Sequence, residues 1–598
     1  MGGAQRQWVL RGPERRAADL AHLEESIAGA FPDVARSRRR LALLLANRGL
    51  GTPADALAFL TASLSAHVRS PLLMKDMRRA TMRLADALRA KERIVVFADY
   101  DVDGISGAAE LLLFFRELGL ELGLYVPSRL REGYGLNEAA VRQLAAEGAR
   151  VIVTVDCGSA NREELSLASR LGLDVIVCDH HHVPTERPPA LAVLNPHQAD
   201  CEFPFKGLSG AGVVFYLLMG VRMELRERGV KALPDLRRYL DLVALGTVAD
   251  VMPLREENRV FVKYGLRELD RSSRPGVAAL KEVAPVGMAT VRAVGFRLAP
   301  VLNAGGRVAD ARRSIDLLVS TDLSEARATA ARLRDDNTER REIEQRMVAE
   351  AIAMVESDGC WMRRASIVVG SPSWHPGVVG IVAARLVDRY YRPSFVLAMG
   401  EEVTRGSGRS IAGLHLVETL EDCRERLVGF GGHRAAAGVT LRTDEMPRFA
   451  AAFEQSVRAR TDATHFIPRL DVDEEVLLGS IDRALVDDLR TLEPSGPGNP
   501  APTFLSRAVE IVSRREVGVP DEQSGDVRRP HVKMLLRQGS AVVDAIGFRM
   551  SRLPIRQGQI VDLVFSPQAE DWGGRSGVSL RVIDMRPVDG GALNTGSS

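Results

Sequence analysis

Three aspartates at alternate positions could bind a cation together. Asp99, Asp101 and Asp103 lie in FADYDVDGISG, residues 97–107, directly after a short apolar run. Residues two apart in a strand point to the same side, so we expect these carboxylates to converge. Converging like charges repel one another, and a bound cation relieves that repulsion.

Acidic side chains also end two further apolar runs. VIVTVD ends at Asp156, and DVIVCDHHH continues into Asp179, His180 and His181. A further acid, Asp250, follows LVALGTVA. Each alone would be an ordinary turn or helix-end residue, but together they predict one metal site. Carboxylates with imidazole and without a thiolate pair favour Mn²⁺ or Mg²⁺ over zinc. Two such ions about 4 Å apart could activate a water and stabilise the leaving oxygen of a phosphodiester.

The elements that must position these residues alternate between strand and helix. From residue 94 onward, short β-branched runs are followed by helical patterns, which is typical of βαβ units in a parallel sheet buried on both faces. The acids then lie at the carboxyl edge of the sheet, where open α/β folds bind ligands. We expect Gly104 to permit a sharp turn and Ser106 to cap the next helix.

The rest of the chain changes pattern several times. RLRDDNTERREIEQR is charged all round, which predicts a helix that bridges two domains through solvent. Short strands with turn signals near the C-terminus predict a small barrel, with an OB-type barrel as one candidate. The predicted segments are a helical N-terminal region (1–70), a catalytic α/β domain (71–320), a connecting helix (321–358), a second α/β domain (359–463), the barrel (464–590) and a disordered tail (591–598).

Composition narrows the class of protein. The 598 residues are 45% hydrophobic and 26% charged, as in globular proteins. We expect no transmembrane span and no signal peptide. The five cysteines are scattered without a CxxC pair, so a reducing cytoplasm fits best. Because the formal net charge is only +2, a nucleic-acid partner must be held by a local basic patch.

Several quoted stretches resemble the motifs of the DHH phosphoesterase superfamily. FADYDVDG, VDCG, CDHHH and GTVADVMPL resemble its first four motifs in order. Within the superfamily the chain is similar to the RecJ exonucleases, which degrade single strands in the 5′→3′ direction. That similarity is carried by RLREGYGL, APVLNAGGRVADA, SWHPGVVGIVAARL, GSGRSIAGLHL, GFGGHRAAAG and GPGNPAPTF. The resemblance departs at Phe97 and Ala98, where some DHH enzymes carry a metal-binding histidine.

The resemblance implies a fold and a set of metal ligands. The fold is α/β, with a parallel-sheet DHH domain and a DHH-associated α/β domain joined by a long helix and followed by an OB-type barrel. The implied ligands of two Mn²⁺ or Mg²⁺ ions are Asp99, Asp101, Asp103, Asp156, His180 and Asp250. His181 would face the scissile phosphate, and Asp179 would orient a histidine. The implied reaction is attack by a metal-activated water, releasing 5′-mononucleotides during DNA repair and recombination.

Substrate contacts are also implied by the resemblance. Arginine forks and hydroxyls suit a terminal phosphate. The implied substrate-binding residues are Arg129, Tyr134, Arg307, His375, Ser407, Arg409 and His433. In GSGRS, residues 406–410, backbone N–H groups could approach an anion closely, and GGHRAAAG, residues 431–438, suggests a turn into a helix. The barrel would bind single strands, with Phe504, Phe548 and Phe565 expected to fill its interior.

Two other functions remain open at this point. The chain could be a DHH phosphodiesterase for short oligoribonucleotides or cyclic dinucleotides, although the added barrel argues against this. It could also be a non-catalytic DNA-binding scaffold, although all the acidic metal ligands are present. For the exonuclease, the implied partners are single-stranded DNA with a 5′ end, a single-stranded DNA-binding protein and a helicase, with no membrane, and we expect a monomer.

Overall fold

The two ends of the chain fold together. In the computed structural model, Met1–Thr61 and Ile467–Ser598 form one unit, and Ala62–Phe466 form the other. The structure describes residues 6–12, 17–32, 37–129, 131–357, 359, 361–518, 531–551, 553–572 and 575–588. Within these residues, no helix is both long and apolar enough to cross a membrane.

The N-terminal segment contains a strand as well as helices. Its elements are β1 (Gln7–Leu10), α1 (Ala17–Ala30), α2 (Arg38–Asn47) and α3 (Pro53–Thr61). The strand β1 pairs in parallel with Arg469–Val472, and buried Arg48 donates hydrogen bonds to Asn499 Oδ1 and to the Pro500 carbonyl. The structure therefore differs from the separate helical region predicted for residues 1–70, because these contacts join the segment to the C-terminal part of the chain.

A five-stranded parallel sheet begins the unit Ala62–Phe466. Its elements, with the surrounding helices, are α4 (Leu64–His67), α5 (Met77–Ala90), β2 (Ile94–Ala98), α6 (Val102–Glu117), β3 (Gly123–Tyr125), α7 (Glu138–Ala146), β4 (Val151–Val155), α8 (Arg162–Arg170), β5 (Asp174–Cys178) and β6 (Ala192–Leu194). The strand order is β3-β2-β4-β5-β6. Every residue of β2 and β4 is buried, which confirms the sheet covered on both faces that the apolar runs predict.

A layer of helices follows the sheet. These helices are α9 (Gly210–Glu227), α10 (Leu240–Ala249), α11 (Glu256–Arg271), α12 (Pro275–Val283), α13 (Val291–Ala293), α14 (Ala299–Val308) and α15 (Arg312–Val319). A π-helical turn, Val294–Leu298, connects α13 to α14. The core of this unit is shared by the inner faces of α6, α9 and α10 and by the strands. Two predicted site residues, Asp250 and Arg307, lie at the C-terminal ends of α10 and α14.

The connecting helix is not exposed all round. It spans Leu323–Ser357 as α16 and buries a residue every three or four positions. In its charged middle, Arg340 donates to Asn337 Oδ1 at 3.2 Å and to Glu344 Oε2 at 2.8 Å. Glu344 also accepts a hydrogen bond from Arg385 at 2.9 Å. The prediction of a solvent bridge was therefore wrong here, because residues three and four apart pair with one another on one buried face.

A second, mixed sheet completes this unit. Its elements are β7 (Ile367–Ser371), α17 (Val379–Tyr390), β8 (Ser394–Ala398), β9 (Val403–Arg409), α18 (Leu416–Glu421), β10 (Gly429–Gly432), β11 (Ala436–Arg442) and α19 (Met446–Arg460). The order is β10-β11-β9-β8-β7, and only β7 and β8 pair in parallel. Residues 431–438 form a β-hairpin between β10 and β11 rather than the predicted turn into a helix, because their backbones pair across the two strands.

A closed barrel forms the C-terminal part of the other unit. Its elements are β12 (Arg469–Val472), β13 (Glu474–Glu475), α20 (Arg483–Leu489), β14 (Phe504–Val517), β15 (His531–Gln538), β16 (Ala541–Gly547), β17 (Ile560–Trp572) and β18 (Arg575–Pro587). Five strands close through the order β14-β15-β16-β18-β17 and a β14–β17 pairing, which confirms the OB-type barrel. Phe504 and Phe565 fill the barrel as predicted. Phe548 is 37% exposed and packs against His531, so the prediction that it fills the interior was wrong.

Candidate active site

Six predicted metal ligands meet at one edge of the parallel sheet. Asp99, Asp156 and His180 follow the adjacent strands β2, β4 and β5, and Asp250 caps the C-terminus of α10. Side chains at this edge form three groups, and within each group the possible ligand atoms lie within 4.8 Å of one another. These groups are Asp99–Asp101–Asp156, Asp103–His180–Asp250 and Asp156–His180–His181. His180 Nε2 lies 3.1 Å from Asp156 Oδ1 and 3.5 Å from Asp250 Oδ2.

The three aspartates of the first motif converge through a turn, not along a strand. Because β2 ends at Ala98, Asp103 lies in the first turn of α6. Asp101 caps this helix by accepting hydrogen bonds from the amides of Asp103 and Gly104. The predicted cap, Ser106, is instead buried, and its hydroxyl has no hydrogen-bond partner among the residues that the structure describes. Gly104 is needed for close packing, since a Cβ there would lie 2.5 Å from the Asp99 carbonyl oxygen.

The N-terminus of α9 anchors Asp103. The amides of Gly210 and Ala211 donate to its two carboxylate oxygens at 2.5 and 3.0 Å. A helix N-terminus is a favourable place for an anion, so these amides fix the carboxylate in one orientation. Sequence reasoning missed this contact, although the run LSGAG at the start of α9 contains a helix-capping serine, Ser209.

The electrostatics of the cluster suit a cation. Burial and then the neighbouring carboxylates raise the pKa of Asp103 to about 6 and that of Asp250 to about 9. The same causes raise the pKa of Asp99 and Asp156 well above the usual range. Because neighbouring carboxylates disfavour each other's ionised forms, a divalent cation among them would reverse these shifts.

Buried atoms without partners point into this cluster. Asp99 Oδ1, Asp156 Oδ1 and His180 Nε2 are buried and form no hydrogen bond of acceptable geometry with any described residue. Burial and then the nearby His181 lower the pKa of His180 to about 3, so its ring is neutral and able to ligate a metal. Oxygen-rich donors with one imidazole and three unsatisfied atoms fit Mn²⁺ or Mg²⁺.

His181 is held as a charged donor beside the cluster. Its Nδ1 lies 2.8 Å from Asp179 Oδ1, and Asp179 also accepts hydrogen bonds from the backbone amides of His180, His181 and Ser159. Burial opposes charge on the ring, but Asp179 raises the pKa of His181 to about 9. Despite burial, these hydrogen bonds hold the pKa of Asp179 below its usual range. Asp179 therefore favours the charged form of the His181 ring.

Two predicted substrate residues surround His181. The Tyr134 hydroxyl donates to the Asp156 carbonyl at 2.9 Å and lies 3.1 Å from His181 Nδ1. This contact supports Asp156 in a left-handed conformation, with φ of 62°. The ring of His433, from the hairpin between β10 and β11, stacks on that of His181 with centroids 5.0 Å apart. Both residues thus restrict the histidine ring.

Three arginines gather on the same unit of the chain. Burial and then Arg129 and Arg340 lower the pKa of Arg307 to about 9, and burial and then Arg129 lower the pKa of Arg409. Arg409 donates to Ser407 Oγ at 3.0 Å. Within the described part of the chain, Arg129, Arg307 and Arg409 form no ion pair. Mutual repulsion among these guanidinium groups, only partly offset by Asp101, would favour a bound anion here.

The second sheet supplies the wall of this arginine site. Ser407 and Arg409 belong to β9, whose backbone pairs with β8 and β11, so the predicted glycine-rich anion loop is wrong. Gly408 is needed instead because a Cβ there would lie 2.4 Å from the Phe395 ring. The Gly377 carbonyl accepts from Arg307 at 3.2 Å, and the Gly377 amide donates to His375 Nδ1 at 3.1 Å. His375 is therefore next to the site, with one ring nitrogen engaged locally.

Comparisons with known proteins agree with this architecture. Family models match residues 93–247 (DHH family, N-terminal domain), 364–459 (DHHA1 domain) and 472–584 (RecJ OB domain). The single-stranded-DNA-specific exonuclease RecJ of Bacillus subtilis is 37% identical over 550 residues, covering 91% of this chain and 67% of the relative. RecJ of Escherichia coli is 34% identical over 539 residues, covering 86% of this chain and 91% of the relative.

A solved structure extends the similarity to the fold. The crystal structure of RecJ in complex with Mn²⁺ from Thermus thermophilus matches with a TM-score of 0.79 at 29% sequence identity. The match covers 97% of this chain and 79% of that chain. By sequence over most of its length, by its three domain models and by its fold, the chain belongs to the RecJ family of single-stranded-DNA-specific exonucleases.

Proposed function

We propose that this protein hydrolyses single-stranded DNA from its 5′ end, in the 5′→3′ direction, and releases 5′-mononucleotides with the help of two Mn²⁺ or Mg²⁺ ions. The observation that carries this proposal is the cluster of six carboxylate and imidazole side chains with three buried, unpartnered atoms facing one another. Family membership supplies the reaction class, and the arginine site supplies a reason for acting at an end.

The cations would be held by the six residues that meet at the sheet edge. These residues are Asp99, Asp101, Asp103, Asp156, His180 and Asp250. When bound, the cations would activate a water for attack on the phosphodiester and stabilise the leaving oxygen. The chain contributes a rigid donor set, because Asp101 is fixed as a helix cap and Asp103 is fixed by the amides of Gly210 and Ala211.

His181 would bind the scissile phosphate. As an imidazolium it can donate a charge-assisted hydrogen bond to a non-bridging phosphate oxygen. Asp179 holds one ring nitrogen, while Tyr134 and His433 restrict the ring from two sides. The ring therefore enters the reaction already oriented, which lowers the entropic part of the barrier.

The arginine site would recognise the terminal phosphate. Arg129, Arg307 and Arg409 form no ion pair with any described residue, and a phosphate would neutralise part of their charge. The Ser407 hydroxyl and half-buried His375 add further polar groups around the same wall. Binding of the end by several charged groups would explain why hydrolysis starts there and removes one nucleotide at a time.

The barrel would hold the strand without reading its sequence. OB barrels combine backbone-tracking charge with stacking side chains, and such binding weakens with salt. Phe548 and His531 form a partly exposed aromatic pair on this barrel. A single-stranded DNA-binding protein and a helicase as partners, a monomeric state and a cytoplasmic location rest on the family resemblance and stay predictions.

The two other functions are less well supported. A scaffold would need no complete donor set, whereas all six predicted ligands lie together. A phosphodiesterase for short oligoribonucleotides or cyclic dinucleotides would need no RecJ OB domain, whereas residues 472–584 match one.

End-labelled single-stranded DNA tests the proposal directly. Purified protein is incubated with 5′- or 3′-labelled strands in Mn²⁺ or in EDTA, beside an Asp156→Asn variant. Asparagine tolerates the left-handed conformation of position 156, so the variant loses a charge while keeping the backbone. We expect Mn²⁺-dependent release of labelled mononucleotide from the 5′ end by the wild type, and a loss of at least about 100-fold in the variant.

An exposed aspartate provides the matched control. Asp388→Asn removes a carboxylate whose side chain is 73% exposed on α17, and its activity should equal that of the wild type. Release from the 3′ end would contradict the polarity. DNA binding without cleavage would favour the scaffold, and cleavage of very short oligonucleotides alone would favour the small-substrate phosphodiesterase.

A further inference from the structure

Tyr100 lies between two residues of the metal cluster. Its neighbours in sequence are Asp99 and Asp101, and its side chain is partly buried. Position 100 belongs to the turn that joins β2 to α6, which is fixed on both sides because Asp99 donates its amide to the Val155 carbonyl and Asp101 caps α6. The ring of Tyr100 therefore leaves the backbone at a rigid point of the proposed metal centre.

The ring of Tyr100 supports an arginine of the phosphate site. The guanidinium carbon of Arg129 lies 5.1 Å from the ring centroid, within the range of a cation–π contact. Within the described part of the chain, Arg129 forms no hydrogen bond or ion pair of its own. The aromatic face is thus the contact that orients this guanidinium.

The helix that carries Arg307 also rests on the same turn. A Cβ at Gly306 would lie 2.4 Å from the Tyr100 carbonyl oxygen and 3.3 Å from Tyr100 Cβ, so α14 approaches the turn closely. One turn earlier in α14, Asn303 Oδ1 accepts the Val102 amide at 3.1 Å. Asn303 and Arg307 are four residues apart and share a face of the helix. The positions of two arginines of the phosphate site, Arg129 and Arg307, therefore depend on contacts with the turn around Tyr100.

We propose that Tyr100 is a positioning residue that sets the distance between the bound 5′-phosphate and the metal cluster, and so makes the enzyme prefer 5′-phosphorylated ends. This inference rests on the proposed function, since it assumes that the arginine site binds the terminal phosphate. A planar ring that leaves the backbone between Asp99 and Asp101 and contacts Arg129 acts as a fixed spacer, which a flexible aliphatic side chain cannot replace. Loss of the ring should leave Arg129 charged but free to move.

Substitution of Tyr100 separates this role from a structural one. Tyr100→Leu removes the ring, Tyr100→Phe keeps it, and wild type serves as reference. The readout is the ratio of kcat/KM for a 5′-phosphorylated strand to that for the same strand with a 5′-hydroxyl, together with the length of the released products. A general loss of fold or of metal binding affects both substrates equally and cancels in this ratio.

A second arginine–tyrosine pair offers the matched control. Arg267 lies over the ring of Tyr264 at 5.6 Å on α11, so Tyr264→Leu removes the same kind of contact from another helix. We expect Tyr100→Leu to lower the ratio about 10-fold, the effect of losing one partly desolvated cation–π contact. Products longer than one nucleotide should increase in this variant. Tyr100→Phe and Tyr264→Leu should keep the wild-type ratio.

Each outcome has a distinct meaning. A wild-type ratio in Tyr100→Leu, or an equal fall in Tyr264→Leu, would overturn the inference while leaving the proposed function intact. A ratio near one in the wild type would overturn the phosphate site itself, and this inference with it. If thermal melting shows that Tyr100→Leu does not fold, Tyr100→Met replaces it, because methionine is flexible and adapts to irregular space.

Discussion

Gly246→Ala tests how rigidly Asp103 must be held. Gly246 lies within α10, and a Cβ there would lie 2.5 Å from Asp103 Oδ1 and 2.8 Å from Ala211 Cβ. Ordinary contact begins near 3.4 Å, so the carboxylate would have to retreat by roughly 1 Å. The same carboxylate is tied to the amides of Gly210 and Ala211, and any retreat stretches those hydrogen bonds.

The expected effect falls on activity rather than on folding. A misplacement of about 1 Å at a reacting site costs about 100-fold in rate, and we expect kcat to fall by about that factor. Overpacking costs about 1–3 kcal/mol of stability, partly offset by about 1 kcal/mol from replacing glycine by alanine within a helix. The variant should therefore stay folded.

Gly220→Ala is the matched control for overpacking. Gly220 lies within α9, and a Cβ there would lie 2.7 Å from Thr81 Cγ2 and 2.9 Å from Met77 Sδ. The contacts are only 0.1–0.2 Å longer than those at Gly246, but they involve core atoms and no carboxylate of the metal cluster. Both variants and the wild type are compared by mononucleotide release from 5′-labelled DNA over a series of Mn²⁺ concentrations, and by thermal melting.

The comparison can refute the reasoning in two ways. If Gly246→Ala keeps wild-type kcat, the Asp103 carboxylate is not positioned as tightly as its contacts indicate. If Gly220→Ala loses as much activity as Gly246→Ala, the loss comes from general overpacking of the helical layer. A large loss in Gly246→Ala alone, with similar melting temperatures, supports the anchored carboxylate.

Three further predictions concern the metal, the phosphate and the barrel. Asp250→Asn should remove much of the Mn²⁺-dependent rise in Tm, measured by differential scanning fluorimetry against EDTA. At a Mn²⁺ concentration of 100 times Kd, binding stabilises the fold by about 2.7 kcal/mol, which raises Tm by about 3 °C for a unit of roughly 400 residues. An unchanged rise in the variant would argue against Asp250 as a ligand. Arg307→Ala should lower kcat/KM about 10- to 100-fold on 5′-phosphorylated strands relative to 5′-hydroxyl strands, since charged hydrogen bonds contribute about 1.5–3 kcal/mol. Equal losses on both substrates would mean that Arg307 does not contact the terminal phosphate. Phe565→Ala should lower the free energy of unfolding in urea by about 3–5 kcal/mol because the side chain is fully buried in the barrel, whereas Val542→Ala, at a half-exposed position, should change it by less than about 0.5 kcal/mol.

The local sequence pattern was enough to predict the parallel sheet and the acidic residues at its carboxyl edge. Short β-branched runs such as Ile94–Ala98 and Val151–Val155 are apolar except for Thr154, so they predict strands covered on both faces. An acid placed directly after such a strand must lie at the carboxyl edge, whatever the rest of the chain does. For the same reason the proximity of Asp99, Asp156 and His180 followed from spacing alone.

Only the tertiary structure decided which distant groups complete the site. Asp250 reaches the cluster from the end of α10, the amides of Gly210 and Ala211 hold Asp103, and Arg129 lies on the ring of Tyr100. These contacts join residues far apart in the chain, and no local periodicity encodes them. They depend on how helices pack against the sheet, which is set by side-chain volume at many positions at once.

Some charged and polar segments are buried although their sequence predicted exposure to solvent. The charged middle of α16 indicated a solvent-exposed helix, yet Arg340 and Glu344 are buried because Asn337 and Arg385 satisfy them. Likewise, the first 61 residues carried no signal that they fold with Ile467–Ser598. Composition and periodicity report the surroundings of a residue along the chain, whereas its partners across the chain are decided only when the whole fold is packed.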